Sequence, residues 1–144
     1  MFLGTYQHAL DEKSRLIIPS RFRDGLGNHF VATLGLDKAI FLYPMSEWIK
    51  IEDKLRSLPI TSSDARAFSR VFFSGAVECE PDKQGRILLP PMLKKHANLE
   101  KEAVLLGVSS RVEIWSLPEW EKYQSQAVSV YEQTAEHLER MISI

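Results

Sequence analysis

A single cysteine, Cys79, stands in the 144 residues, so the chain can close no internal disulfide and offers no cysteine-rich zinc site. The histidines His8, His29, His96 and His137 fall at no metal-ligand spacing, and no glycine-rich phosphate loop is present. Neither a metal nor a nucleotide cofactor is expected. No apolar run approaches the length of a membrane span, and Met1-Phe2-Leu3-Gly4 is not a basic leader. A reducing, cytosolic setting away from the membrane is the expectation. An excess of either sign of charge is lacking too. The formal net charge is −1, which argues against a nucleic-acid binder, since such domains usually show a basic surplus. Locating the charge weakens that objection. Residues 117–144 hold five acids (Glu119, Glu121, Glu132, Glu136, Glu139) and two bases (Lys122, Arg140), a net −3, which leaves −1 + 3 = +2 on the rest.

What the chain does have is a passage written twice. Asp11-Glu12-Lys13-Ser14-Arg15, followed by Leu16-Ile17-Ile18-Pro19, returns as Asp82-Lys83-Gln84-Gly85-Arg86 followed by Ile87-Leu88-Leu89-Pro90, at an offset of 82 − 11 = 71. Gly4 matches Gly75 at the same offset, and Gly35, Tyr43 and Trp48 match Gly107, Trp115 and Trp120 at 72. Self-similarity of this kind marks a tandem duplication of one small unit. Half the chain would bury too little surface to be stable alone, so two repeats sharing one core is the expected organisation. A hydrophobic fraction of 44% beside 26% charged residues fits an ordinary globular protein, with disorder expected only at the ends.

Each unit reads as strand, tight turn, strand, short helix, two further strands and a helix. In the first unit the strands fall at 5–10, 15–18, 30–34 and 39–43, with Pro19 opening a helix whose inward residues are Phe22 and Leu26. Ser46 is the expected cap of a helix carrying Trp48, Ile51, Leu55 and Leu58, and a second helix at 63–73 turns Phe68 and Phe72 inward. The second unit repeats the plan and ends in a helical segment at 128–144 with Val128, Tyr131, Ala135, Leu138 and Ile142 on one side. The expected divisions are a first repeat at 5–47, a helical connector at 48–75, a second repeat at 76–119 and a C-terminal helical tail at 120–144. Trp48, Phe68, Phe72, Phe73 and Trp120 are most simply core residues.

The doubled motif carries the candidate chemistry. Asp11 and Asp82 open each turn, where a side-chain acceptor suits free amides. Gly85 stands where a left-handed residue is needed, and Ser14 in its place leaves the first turn strained or differently shaped. One aspartate from each half is also the plan of aspartic proteases, whose carboxylates share a proton. Neither aspartate is followed by Thr-Gly or Ser-Gly, and an arginine four residues on favours an ionised carboxylate. Turn capping with an Asp-Arg brace is therefore preferred, and neither catalysis nor a small-molecule substrate is expected. Alternation places Arg15 and Ile17 on one face and Leu16 and Ile18 on the other, which displays the guanidinium at a hairpin tip. Arg15 and Arg86 then have two readings. Either each pairs its own aspartate at the surface and contributes little, or the two lie on guanine O6 and N7 in a major groove, worth about 1–3 kcal/mol of discrimination each. Lys13, Lys83, Arg21 and Arg23 are candidates for orienting phosphate contacts, or are solvated charge.

These residues resemble the MraZ family, bacterial transcriptional regulators built from two tandem SpoVT-AbrB-type units. The resemblance runs from Met1-Phe2 and Gly4 through both Asp-x-x-x-Arg motifs to Trp115 and Trp120, and the doubled motif at this spacing is specific where one copy would not be. It implies an α+β fold, a tandem duplicated swapped-hairpin AbrB-like β-barrel (a double-split β-barrel) with peripheral helices. It also implies ring-shaped homo-oligomers that bind double-stranded DNA at short G-rich direct repeats upstream of their own cell-division and cell-wall operon, in the nucleoid. The family's motif falls on Asp11, Lys13 and Arg15, and on Asp82 and Arg86. Ser14 replaces the glycine common in the first motif, and Gln84 stands where the first copy has Lys13. The first copy, with Lys13, Arg15, Arg21 and Arg23, is therefore expected to make the stronger DNA contact while the second serves mainly as scaffold. The alternative is an oligomeric protein-binding scaffold with no preference among DNA sequences.

Overall fold

The computed structural model describes residues 1–142; Ser143 and Ile144, the end of the expected C-terminal segment, lie outside the described residues. The order is β1 (Thr5–Ala9), β2 (Arg15–Ile17), α1 (Ser20–Leu26), β3 (Phe30–Leu34), β4 (Ile40–Pro44), α2 (Met45–Arg56) and α3 (Ser63–Ser74). The second repeat follows with β5 (Val77–Cys79), β6 (Arg86–Leu88), α4 (Pro91–His96), β7 (Glu102–Val108), β8 (Arg111–Ser116), α5 (Leu117–Ser129) and α6 (Tyr131–Ile142). Six strands form one antiparallel sheet in the order β1-β7-β8-β4-β3-β5, and β2 pairs β6 as a separate ribbon. Among the described residues only the β3·β4 and β7·β8 ladders stay within a repeat. The β1·β7, β3·β5, β4·β8 and β2·β6 ladders all join one repeat to the other.

Exchanging each strand with its repeat counterpart, β1 with β5 and so on, reverses the sheet order and returns the same sheet. The fold therefore has a pseudo-two-fold axis, which passes through the Leu16–Ile87 pair of the ribbon and the Phe41–Glu113 pair of the sheet. The interlaced duplication expected of the fold class is present, but the barrel is not closed. No ladder joins β1 to β5 among the described residues, so both are edges. β2 and β6, three residues each, pair with one another and extend neither edge.

One core is shared by both repeats. Leu16, Ile18, Phe22, Phe30 and Leu42 from the first pack with Ile87, Leu89, Leu93, Leu105 and Ile114 from the second, each contributing roughly 1.5–3 kcal/mol by burial. A smaller aromatic cluster covers the other face of the sheet. There Trp48 stacks on Phe72 at 5.5 Å, and Thr33 donates to the Phe72 carbonyl at 2.7 Å, which fixes α3 on the sheet. Phe72 is buried as expected, whereas Phe68 is partly open to solvent. On the axis this face also holds Glu113, 7% exposed, which accepts from Arg111 Nε at 2.8 Å and Trp115 Nε1 at 3.0 Å.

The helix starts differ from expectation at one point. Pro44, held extended at φ −62° and ψ 154°, precedes Met45 directly, so Ser46 lies inside α2 and caps nothing. Ser62 and Ser116 do cap, accepting from Ala65 and Glu119 amides at 3.2 Å. All of α6 is exposed, including Tyr131, Leu138 and Ile142, whereas α3 packs on the sheet through Phe72 and Phe73.

Candidate functional site

The ribbon has two unlike faces because side chains alternate along a strand. Its ladder pairs Arg15 with Leu88, Leu16 with Ile87 and Ile17 with Arg86. It runs one residue further at each end, where the Leu89 amide donates to the Ser14 carbonyl (2.9 Å) and the Ile18 amide to the Gly85 carbonyl (2.8 Å). Leu16, Ile18, Ile87 and Leu89 face the core and are buried. Arg15, Ile17, Arg86 and Leu88 share the outer face. With four residue steps between Ser14 and Ile18, the two turns stand roughly 13 Å apart along the ribbon, and both arginines lie between them.

The two turns are built alike. Asp11 Oδ1 accepts from the amides of Lys13 and Arg15, both at 2.9 Å, while its Oδ2 takes Arg15 Nε at 2.7 Å. In the second copy Asp82 Oδ1 accepts from Gln84 (2.9 Å) and Arg86 (3.0 Å), and Oδ2 takes Arg86 Nε at 2.8 Å. The Arg15 amide is the largest cause holding the Asp11 carboxyl below the usual carboxylate range. Desolvation opposes it, and the Arg15 guanidinium and Lys13 amide reinforce it. Asp82 is lowered in the same way, led by the Arg86 amide. A proton-sharing dyad needs one carboxyl raised. Both of these are lowered, each by its own turn.

Each brace occupies Nε of its arginine, leaving the far end of the fork less committed. Arg15 makes its closest contact with Asp11 through Nε, and Arg86 Nη1 lies 3.6 Å from Asp11 Oδ2. That cross-repeat contact brings both motifs into one cluster on the outer face.

Ser14 does not reshape the first turn. It takes φ 60° where Gly85 takes φ 78°, and the amide closing each turn donates to its aspartate carbonyl at 3.0 Å and 2.9 Å. A serine in this left-handed position carries steric strain that glycine avoids. Its hydroxyl is engaged by Lys94 Nζ at 2.6 Å, reaching over from α4 of the other repeat. Lys94 is the repeat counterpart of Arg23, at 94 − 23 = 71. Arg23 in turn crosses from α1 to lie against Gly85, where a Cβ would collide with its guanidinium. Arg23 was expected to strengthen the first motif, but the swapped topology puts it on the second. Lys94 was not among the sequence candidates, and the offset itself was the signal that would have found it.

Lys13 and Lys83 are exposed at the turn apices, and Arg21 is exposed on α1 with no hydrogen bond to either turn among the described residues. Beside the second turn, Arg23, Asp24, Asn28, Lys83 and Gln84 line a polar hollow. Elsewhere, Cys79 is buried and burial pushes its thiol up to about 11, so it is inert at neutral pH. Among the described residues no group of three or more His, Cys, Asp or Glu is arranged to hold a metal, and no helix is long and apolar enough to cross a membrane.

Comparison with known proteins agrees with this duplicated architecture. The family described as "MraZ protein, putative antitoxin-like" matches twice in succession, at residues 1–71 and 72–142. A protein of Pelotomaculum thermopropionicum named "Transcriptional regulator MraZ" is 62% identical over 138 residues, covering 96% of this chain and 95% of that relative. One of the same name from Desulforamulus reducens is 59% identical, covering 96% and 97%. With two matched repeats spanning nearly its whole length, and relatives of this identity, the chain belongs to the MraZ family.

Proposed function

We propose that this chain is a sequence-specific DNA-binding transcriptional regulator, without enzymatic activity, that reads the major groove with the outer face of the β2–β6 ribbon. One observation carries the reading: two arginines, each braced at Nε by its own aspartate, stand on the same exposed face of a two-stranded ribbon. A major groove admits such a ribbon, and the acceptors O6 and N7 of guanine fit the far end of an arginine fork. Arg15 and Arg86 each discriminate by about 1–3 kcal/mol in that role. Lys13, Lys83, Arg21 and Arg23, joined by Lys94, contact phosphates and set orientation without reading sequence. The names of the relatives support a regulator of transcription. The near-neutral total charge is compatible with it because residues 117–144 carry a net −3 and the rest of the chain +2.

The reading extends to assembly and target. The repeats at 5–47 and 76–119 present the ribbon, while the connector at 48–75 and the tail at 120–144 serve contacts between copies in a ring. Exposed apolar residues in those segments, Ile49, Ile60 and Val71 in one and Tyr131, Leu138 and Ile142 in the other, support that division. A ring repeats its reading face in one orientation, which suits direct repeats, and several engaged ribbons multiply weak contacts into avidity. The target is the promoter region of its own division and cell-wall operon, in the cytoplasmic nucleoid.

Fluorescence anisotropy tests this with a duplex from upstream of the chain's own gene and a scrambled duplex, each at several salt concentrations. A preference for the upstream duplex that persists as salt rises is expected. Equal affinities that fall together with salt would leave phosphate contact alone. No binding to either duplex would favour a protein-binding scaffold.

A further inference from the structure

The outer face of the ribbon holds more than its two arginines. Ile17 is 41% exposed and Leu88 63% exposed, although both lie on strands whose other face is core. A lone exposed aliphatic residue needs no explanation. These two are related by the repeat offset, 88 − 17 = 71, so both copies place a branched aliphatic residue at the same outward position. Each sits directly across the ladder from an arginine of the other repeat, Leu88 from Arg15 and Ile17 from Arg86. The face is thus a compact set of two guanidinium and aliphatic pairs related by the pseudo-two-fold axis.

We propose that Ile17 and Leu88 are base-reading residues that recognise the C5-methyl group of thymine beside the guanines contacted by Arg86 and Arg15. The proposal rests on the major-groove reading above and adds a second chemical element to it. In the major groove thymine is the base that presents a methyl group, and apolar side chains are what reads it. Directly paired residues on antiparallel strands lie about 4.5–5.5 Å apart, between one and two steps of the 3.4 Å base-pair rise along a strand. A guanidinium on guanine therefore brings its aliphatic partner over a neighbouring base pair. The partner fits the chemistry of the whole face: positive charge for the groove and its acceptors, and a small apolar surface for a methyl. A protein surface opposite this ribbon would have to be acidic and apolar at the same points, and would make no distinction between thymine and uracil.

The test removes the methyl groups from the DNA and, separately, the side chains that read them. Affinity is measured by anisotropy for the upstream duplex and for the same duplex with every thymine replaced by deoxyuridine, which keeps the base-pairing edge and loses only the methyl. For each engaged ribbon, a methyl contact is expected to be worth roughly fourfold in affinity, and two contacts about fifteenfold, from the burial of one carbon each. Ile17→Ala and Leu88→Ala should each lose about that fourfold on the thymine duplex and nothing further on the deoxyuridine duplex. Arg15→Ala should keep the difference between the two duplexes at the position read by Ile17. Equal binding of both duplexes by the unaltered chain would overturn the proposal, as would alanine variants weakened equally on both. Failure of the underlying reading looks different: the upstream duplex would then not be preferred over a scrambled one. Circular dichroism and size-exclusion elution of the variants should match the unaltered chain, and a lost assembly in Ile17→Ala or Leu88→Ala would assign them to a subunit contact instead.

Discussion

Replacing Leu16 by alanine should destabilise the whole molecule, and replacing its neighbour Ile17 should not. Leu16 is fully buried on the pseudo-two-fold axis, opposite Ile87, where the ribbon rests on the core shared by both repeats. Deleting a buried leucine side chain costs about 2–5 kcal/mol, most where the surroundings cannot close the cavity. Here the ribbon backbone is held on both sides of the site by the Ser14–Leu89 and Ile18–Gly85 hydrogen bonds, so a loss of about 3–4 kcal/mol is expected. Against a usual total of roughly 5–15 kcal/mol, that is a large share. Ile17 turns the other way, and its truncation should stay within about 0.5 kcal/mol. Urea unfolding at fixed protomer concentration measures both variants, followed by tryptophan fluorescence and far-ultraviolet circular dichroism. Trp48 lies in the first half of the chain and Trp115 and Trp120 in the second, so a shared core requires coincident transitions from both probes. A loss below about 1 kcal/mol for Leu16→Ala, or a transition that splits in two, would refute the reasoning.

Arg15→Ala should lower affinity for the upstream duplex about 5- to 150-fold, the equivalent of one guanine contact, with a much smaller change on scrambled DNA and no change in assembly; anisotropy and size-exclusion chromatography measure the two. Asp11→Asn should leave the turn folded but release Arg15 Nε, so that specificity falls while non-specific binding persists in the same assay. The aspartates also set a pH dependence. Their carboxyls are lowered in the folded chain, so their contribution is complete above the ordinary carboxylate range and is lost as pH falls through the lowered values. An acid titration followed by circular dichroism should therefore show Asp11→Asn/Asp82→Asn losing less stability than the unaltered chain below about pH 4. Away from the ribbon, Glu113→Ala strips Arg111 and the buried Trp115 Nε1 of their acceptor, and thermal melting should show a loss of about 1–3 kcal/mol.

Much of this molecule was legible from the 71-residue offset. The repeated motif located both turns, and alternation correctly separated Leu16 and Ile87 from Arg15 and Arg86. Local sequence could not show which strands pair. Nothing in Thr5–Ala9 specifies β7 of the other repeat over β2, because alternation fixes a strand's faces and not its partner. That gap separates Arg23 from the motif it touches, and only the repeat offset from Arg23 points to Lys94 in the sequence. Both reach turns that lie 62 and 80 residues away in the chain (85 − 23 and 94 − 14). The misplaced cap at Ser46 has a local cause: Pro44 already holds the extended geometry that precedes a helix. The open sheet, with β1 and β5 as its edges, is a matter of strand pairing and so was not legible in the alternation either.

Dimethyl sulfate footprinting of the upstream duplex tests the reading of guanine most directly, because the reagent methylates N7 in the major groove, the atom assigned to Arg15 and Arg86. Guanines protected at regular intervals by the unaltered chain, and left reactive when Arg15→Ala/Arg86→Ala is bound at saturating concentration, are the expected result. Guanines that remain reactive under the unaltered chain, or that the double variant protects equally well, would contradict it.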